Sequence, residues 1–372
     1  MKFNRYTLSD LATIKYGKNQ KKVLSDSGTV PIFGTGGLMG FATTSLYDKP
    51  SVLIGRKGTI GKVKYVEQPF WTVDTLFYTI INTNLVIPKY LFYVMSLIDL
   101  NNYNEGTTIP SLRTETLNRL EFDIPDLEEQ RKILSCLNPI DEKIALNNAI
   151  NNNLEQQMQA LFNEYLSSNK FCDLTTVKDV VLSANTGADA IQKAPIVDYD
   201  TGIRCIRVGD MTNNRSFHDW GFTKVTDDVF KRYQLHKDDI VVTRTASLGL
   251  NTIISEDLPA VYNNGLIRLT VNTSNVLPLY LFRQFQTEDF SNYIACIESE
   301  TSVRPNMKIN YLLKYEFILP PITKQNEIIA LLTPMLNQQN NLIVENKHLE
   351  ALRDTLLPKL MSGELDVSDI EL

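Results

Sequence analysis

The sequence predicts an α+β protein made by internal duplication. Two mixed α/β globules are separated by two long helices that pair as an antiparallel coiled coil. Three observations predict this. The 372 residues are more than one ordinary hydrophobic core organises. A stretch that begins near Pro125 recurs without a gap at an offset of 195 residues. Each copy of that stretch carries a heptad seam, and each follows a segment of short strand patterns.

The repeat sets the domain organisation. Ile124-Pro125-Asp126-Leu127-Glu128-Glu129-Gln130 aligns with Leu319-Pro320-Pro321-Ile322-Thr323-Lys324-Gln325. The same register matches Ile133 with Ile328, Leu137 with Leu332, Pro139 with Pro334, Asn151 with Asn346, Leu154 with Leu349 and Leu161 with Leu356. Upstream the match is looser but stays in order: Arg56 and Gly61 correspond to Arg244 and Gly249, Pro88-x-Tyr90-Leu91-Phe92 to Pro278-x-Tyr280-Leu281-Phe282, and Pro110 to Pro305. The expected division is a globule at 1–122, a helical segment at 123–168, a second globule at 169–319 and a second helical segment at 320–372.

Each helical segment opens with a short amphipathic stretch, 127–137 or 322–332, followed by Asn138-Pro139 or Thr333-Pro334. Asn or Thr as N-cap with proline in the first turn predicts that a new helix starts there. From that point the seam runs Ile140, Ile144, Asn147, Asn151, Leu154, Met158, Leu161, Tyr165. The second copy reads Met335, Gln339, Leu342, Asn346, Leu349, Arg353, Leu356, Leu360. A helix of about 27 residues spans roughly 40 Å. Equal length and matching seams favour packing of the two copies on each other over packing on separate globules. Asn151 and Asn346 share a heptad position near the middle, so they are expected to meet and to pin the register. Pro358 is expected to end or kink the second helix.

In the globules, Val30–Phe33, Ser51–Ile54, Trp71–Val73, Leu76–Ile81 and Asp239–Thr243 read as strands. Ile87-Pro88 to Leu97 and Leu277-Pro278 to Gln284 read as short helices. The longest apolar stretches, such as Tyr90–Met95, are far short of the roughly 20 residues of a membrane span. The N-terminal residues lack the apolar core of a signal peptide. Four scattered cysteines, Cys136, Cys172, Cys205 and Cys296, form neither a metal-ligand pair nor a disulfide framework. A reduced, cytoplasmic setting is the expectation.

Net charge is −6, against a uniformly basic nucleic-acid binder, but the charge is unevenly placed. Residues 1–122 hold 14 basic and 9 acidic residues, whereas 123–168 hold 3 and 8. The second globule has 16 and 18, and 320–372 has 4 and 8. Acid is therefore concentrated in the helical segments.

Enzymatic readings fail on their chemistry. Gly55-Arg56-Lys57-Gly58-Thr59-Ile60-Gly61-Lys62 resembles a phosphate loop, but Arg56 and Val63 stand where that loop needs glycine and a magnesium-binding hydroxyl. Phe33-Gly34-Thr35-Gly36-Gly37 resembles an S-adenosylmethionine loop, yet no helix pattern follows, and no Asp/Asn-Pro-Pro-aromatic segment exists. His218, His236 and His348 are isolated. Pro125-Asp126 lacks the Glu-x-Lys that would complete a nuclease site.

What remains is a set of polar and basic loops at matching places. Arg56, Lys57 and Lys62 pair with Arg244. Thr107-Thr108-Ile109-Pro110-Ser111-Leu112-Arg113 pairs with Ser302-Val303-Arg304-Pro305-Asn306-Met307-Lys308. The candidate DNA contacts are Arg56, Lys57, Lys62, Thr107, Thr108, Ser111 and Arg113 in the first copy, and Arg207, Arg244, Arg304, Asn306 and Lys308 in the second. Such side chains suit phosphate anchoring and the reading of base edges. The competing reading is that Arg and Gly here only shape a hairpin.

These motifs resemble the specificity subunits of type I restriction–modification systems. The marks are the paired Pro-x4-Gln-x2-Ile-x3-Leu segments, the Arg-Lys-Gly-x2-Gly turn, the Thr-Thr-Ile-Pro-Ser-Leu loop and the terminal Leu356-Leu357-Pro358-Lys359-Leu360-Met361-Ser362-Gly363-Glu364-Leu365. The resemblance covers the whole chain. It implies two target-recognition domains that each read half of a split double-stranded DNA site, with no catalytic centre. It further implies helical regions that pack antiparallel and dock two adenine-methylating subunits, and a motor–nuclease subunit that joins for cleavage. S-adenosylmethionine would bind the methylating partner. The globules differ in detail, Ile32-Phe33-Gly34-Thr35-Gly36 against Ile206-Arg207-Val208-Gly209-Asp210, so the two half-sites are expected to differ. A coiled-coil scaffold without DNA binding and a self-contained methyltransferase or nuclease are the readings set aside.

Overall fold

The structure is a computed structural model, and it describes residues 2–169, 173–300 and 305–370. The chain divides into two compact units: Met1–Asn148 with Ile343–Leu372, and Ala149–Leu342. This division runs along different lines from the segments drawn on the sequence. Each unit takes a globule together with part of both long helices.

The first unit holds three sheets. Phe3–Thr7 pairs antiparallel with Glu121–Pro125, joining the start of the globule to its end. A four-stranded antiparallel sheet has the order Ala12–Tyr16, Leu76–Ile81, Ser51–Gly55, Val63–Val66. A three-stranded sheet has the order Gly37–Ala42, Val30–Gly34, Trp71–Thr72, its last pair parallel. The second unit repeats the plan. Leu174–Thr176 pairs with Glu316–Ile318. The order Val181–Thr186, Leu266–Val271, Ile240–Thr243, Asn251–Ile253 makes the four-stranded antiparallel sheet. Gly221–Phe222, Arg204–Ile206 and Ala260–Tyr262 make the three-stranded one, again with a parallel last pair. The five stretches expected as strands fall on strands, and the two short helices are Pro88–Ser96 and Pro278–Gln284.

Gly34-Thr35-Gly36-Gly37 turns one strand into the next, so it makes a hairpin and not a cofactor loop. At the matching strand end the second unit instead forms a short helix, Val208–Thr212. That unit also carries the helix Glu288–Glu300, whereas the stretch after Pro88–Ser96 in the first unit holds a single 3-10 turn, Leu100–Tyr103.

The long helices correct the two expected helix starts, and Pro358 does not end the second one. The first runs unbroken from Leu127 to Ser168 through Pro139, and the second from Ile322 to Ser362 through Pro334 and Pro358. Neither Asn138 nor Thr333 caps a helix. The Thr333 hydroxyl donates to the Ile329 carbonyl one turn back, 2.7 Å away, within continuous helix. An interior proline costs about 3 kcal/mol or more, and buried apolar residues on either side offset it. Leu134, Leu137 and Ile140 flank Pro139, and Leu357, Leu360 and Met361 flank Pro358, all under 9% exposed. A chain that must bury its seam on both sides of a proline continues as helix, because stopping would expose the seam.

None of the sixteen seam positions is exposed. In the first unit, Ile133, Leu134 and Leu137 share a core with Leu357, Leu360 and Met361, and the Asp141 carboxylate lies 3.4 Å from Arg353. In the second, Met158 and Phe162 share a core with Ile328 and Leu332, and the Gln339 amide donates to the Asn151 carbonyl at 3.0 Å. Residue numbers rise on one helix as they fall on the other, so the pairing is antiparallel within each unit.

The register contact is between different asparagines from those expected. Asn346 meets Asn147, whose amide donates to the Asn346 side-chain oxygen at 2.8 Å and to Glu345 at 2.7 Å. Asn346 in turn donates to Asn148 at 2.9 Å. Asn151 lies in the other unit. The reason is geometric. Parallel strands of a coiled coil bring equivalent heptad positions together, whereas antiparallel ones match a residue with one displaced along the repeat.

Gln130 and Gln325, both fully buried, join each long helix to its globule. Gln130 donates to the carbonyls of Leu85 and Pro125 at 2.9 Å and accepts from the Ile87 N–H at 2.8 Å. Gln325 donates to Asn275 at 3.2 Å and Pro320 at 2.8 Å, and accepts from the Leu277 N–H at 2.8 Å. Ile87 and Leu277 are the N-caps of the short helices, so one side chain ties two helix starts. Gln130→Ala or Gln325→Ala leaves three backbone groups without partners and is expected to destabilise the protein by about 3 kcal/mol, at about 1 each. Gln130→Glu, which keeps the acceptor and loses both donors, should destabilise by a similar amount at neutral pH. Urea unfolding followed by circular dichroism measures both.

Candidate nucleic-acid interface

In the first unit the strand Ser51–Gly55 runs out into the turn that carries Arg56, Lys57 and Lys62. Two bonds clasp this turn to the loop at 104–113. The Leu112 N–H donates to the Arg56 carbonyl and the Gly58 N–H to the Pro110 carbonyl, both at 2.9 Å, and Lys57 and Ser111 form a bridge. The Arg56 guanidinium donates to the Asp74 carbonyl at 2.8 Å and lies 5.0 Å from the centre of the Tyr16 ring. Asn104 shapes the loop from within, accepting from the N–H groups of Gly106 and Ser111 at 2.9 Å. Thr107 and Thr108 are left exposed at its tip.

Tyr16, Arg56, Lys57, Ser111 and Arg113 line one cleft of about 370 Å³, so the structure gathers four of the seven first-copy candidates. Arg113 is ion-paired with Glu105 at 3.1 Å. Lys62 lines a different recess, beside the Gly34–Gly37 hairpin. Its neighbour Lys64 lies 4.0 Å from the centre of the Phe33 ring, and partial burial lowers its ammonium pKa.

The second unit builds the same clasp. The Met307 N–H donates to the Arg244 carbonyl at 2.8 Å, and Thr245 bridges Asn306. Arg244 donates to the carbonyls of Met307 and Asn264, each at 3.1 Å, and to the Asn306 side chain at 2.8 Å. Asn264 stands two residues before Leu266, as Asp74 stands two before Leu76, so the arginine grips the corresponding carbonyl in each copy. Lys308 is exposed at the start of the helix Ile309–Leu313. Arg207 is half-buried, and its backbone N–H donates to Asp210 at 2.9 Å. Burial next to it pushes the Cys205 thiol up to about 11. Arg304 lies outside the described residues.

Both arginines thus turn donors inward and hold the loops together, Arg244 with three bonds and Arg56 with one. The exposed cations with no internal partner among the described candidates are Lys57, Lys62 and Lys308. Sequence reasoning missed Tyr16, Asp74, Asn104 and Asn264. The alignment offset is 188 at the arginines, 190 at Asp74 and Asn264 and 195 at the loops, so an ungapped register could not bring the supporting residues together. Among the described residues, no cluster of His, Cys, Asp or Glu could hold a metal ion, and no helix is long and apolar enough to cross a membrane.

A family model for the type I restriction–modification DNA specificity domain matches residues 2–156 and again 173–351. The chain is 23% identical over 365 residues to the MjaIX specificity subunit of Methanocaldococcus jannaschii, covering 87% of this chain and 80% of that one. It is 22% identical over 377 residues to the HindI specificity subunit of Haemophilus influenzae, covering 76% and 79%. In fold it is similar to the crystal structure of a type I restriction–modification S subunit from M. genitalium. That likeness has a TM-score of 0.54 at 15% identity over 97% of this chain and 96% of the other.

The unequal bonding of the arginines makes a prediction. Arg244→Ala should destabilise the protein by about 2–3 kcal/mol, because Asn306 and two carbonyls lose a charged donor. Arg56→Ala, with one such bond, should cost about 1 kcal/mol. Thermal unfolding of the two variants measures the difference, and equal losses would contradict it.

Proposed function

The chain belongs to the type I restriction–modification DNA specificity family, and from that premise we propose that it is the non-catalytic sequence-reading subunit of a DNA adenine methyltransferase and endonuclease complex. Each globule reads one half of a bipartite double-stranded site. The observation that carries this reading is the duplicated clasp. The same strand end, arginine turn and loop recur in both units with different residues at the bridge between turn and loop, Lys57 and Ser111 against Thr245 and Asn306. A common support with unlike bridging residues suits two related readers of unlike sequences. The half-sites therefore differ, and the target is asymmetric.

The long helices dock the methylating subunits, two in number, which bind S-adenosylmethionine and perform the transfer. A motor–nuclease subunit joins the same assembly for cleavage, and the complex works in the cytoplasm. The charge distribution supports this division of labour, since the helical segments are acidic and basic residues gather in the globules. Lys57, Lys62 and Lys308 contact phosphates; Thr107, Thr108 and Ser111 face base edges or sugars.

The purified chain alone should show neither methyl transfer nor cleavage. With methylating subunits added, it should direct adenine methylation to one split sequence. Turnover by the chain alone, or methylation without sequence preference, overturns the reading. Lys57→Ala should weaken binding to every sequence alike and lower the salt slope by about 0.9.

We also propose that the helices set the gap between the half-sites. Their register, from Asn147 against Asn346, says where length can be added without breaking the pairing: one heptad after Asn148 and one after Val344. Each heptad adds about 10 Å of helix. The favoured gap should grow by about three base pairs at roughly 3.4 Å each, with both half-sites unchanged. Mapping of methylated adenines reads the outcome, and an unchanged gap in a folded variant refutes the ruler.

A further inference from the structure

Gly17 and Gly187 open the same loop in the two units. The Gly17 N–H donates to Leu76 at 3.0 Å, and the Gly187 N–H to Leu266 at 3.3 Å. A Cβ on Gly17 would lie 2.0 Å from the Val73 carbonyl oxygen, and one on Gly187 would lie 2.2 Å from that of Tyr262. Both positions therefore need glycine, because two backbones touch there. One residue on, the Lys18 N–H donates to Thr72 at 2.8 Å and the Ala188 N–H to Tyr262 at 2.9 Å. These loops thus rest on the segments that also hold the clasps. Asp74, two residues beyond Thr72, receives Arg56; Asn264, two beyond Tyr262, receives Arg244 and donates its own N–H to Ala188 at 2.8 Å.

The tips share a turn but not a chemistry. In the first loop the Asn19 side chain accepts from the Lys21 N–H at 2.9 Å. In the second, Asp189 accepts from the N–H groups of Gln192 at 2.7 Å and Ile191 at 2.9 Å, and those bonds hold its carboxyl below the usual range. Lys21-Lys22 and Ile191-Gln192 therefore occupy corresponding places, all four exposed. Ile191 is 84% exposed, the highest value for a large apolar side chain among the described residues. Nothing in the fold is gained by holding an isoleucine in water on a loop whose backbone is tied down. No hydrogen bond among the described residues engages the Gln192 side chain.

We propose that these loops enter the DNA groove beside the clasps and do different work there: Lys21 and Lys22 hold phosphates of one half-site, while Ile191 and Gln192 read an A·T pair of the other. Glutamine matches the donor and acceptor of the adenine edge in the major groove, and an apolar side chain packs on the thymine methyl group. The inference rests on the proposed function and adds residues that the loops at 107–113 and 302–308 do not include.

The test uses the full chain assembled with its methylating subunits. Lys21→Ala with Lys22→Ala should weaken binding to all sequences, lower the log–log salt slope by about 1.8 and leave the methylated sequence unchanged. Gln192→Ala should relax the methylated sequence at one A·T position of one half-site, losing roughly tenfold or more in discrimination there, at an unchanged salt slope. Ile191→Ala should weaken preference at the same or the adjacent pair. Circular dichroism confirms the fold, and all four residues are exposed. If the wild-type complex reads its site and every variant keeps its sequence and slope, the loops are not part of the interface, and the inference fails while the proposed function stands. A uniform loss from Gln192→Ala would make it a phosphate contact and overturn base reading. A wild-type complex with no sequence preference overturns both.

Discussion

The buried amide of a single glutamine in each unit carries the junction on which the rest of the structure depends. Gln130 and Gln325 sit where three chain directions meet: the last strand of the globule, the first turn of a long helix and the N-cap of a short one. An amide side chain offers two donors and an acceptor in one plane, and here it meets two carbonyls and an N–H that nothing else satisfies. Burial makes the arrangement directional, since any other orientation would leave polar groups without partners in a low-dielectric interior. The long helix therefore leaves each globule at a set position, and the seam beyond it starts in phase.

The seam has its own constraint, which is packing that outweighs local preference. Three prolines fall inside the two long helices, and two of them follow residues that cap helices well. Pro139 and Pro358 have buried apolar residues on both sides, and Pro334 has buried Leu332 on one side and partly buried Met335 and Leu336 on the other, so each stays helical. Polar positions in the seam then do what apolar ones cannot. Asn147 donates to Asn346 and Glu345, and Asn346 to Asn148, in one alignment, and a slip by one residue would break these bonds. Arg283, 1% exposed and 2.5 Å from Glu155, ties the short helix Pro278–Gln284 to the first long helix in the second unit. The corresponding place in the first unit holds Tyr93, which donates to Asp141.

Duplication followed by divergence explains how one fold carries two readings. The sheets, the capping boxes at Thr7–Asp10 and Thr176–Asp179, the glutamine junctions and the arginine clasps are common to both units. The differences sit at tips and insertions: a hairpin against a short helix after Ile32 and Ile206, a 3-10 turn against the helix Glu288–Glu300, lysines against isoleucine and glutamine in the glycine-opened loops. Changes at a loop tip alter what is presented without disturbing the supporting bonds. The arginines that look most like DNA contacts in the sequence also brace the support.

Much of the architecture was determined by sequence alone, because its signals are local or periodic. Strand patterns bounded by glycine and proline, the heptad seam and the ungapped repeat of 195 residues depend on spacing along the chain, and spacing survives folding. Which residues meet was decided by tertiary structure. Antiparallel pairing put Asn346 against Asn147 instead of Asn151, since partners in such a pair are matched by opposed numbering and not by equal heptad position. Packing on both sides of Pro139, Pro334 and Pro358 overrode their local meaning as helix starts and stops. The inward bonds of Arg244 required Asn264 and Met307 to arrive from 20 and 63 residues away along the chain, a convergence no window of sequence contains.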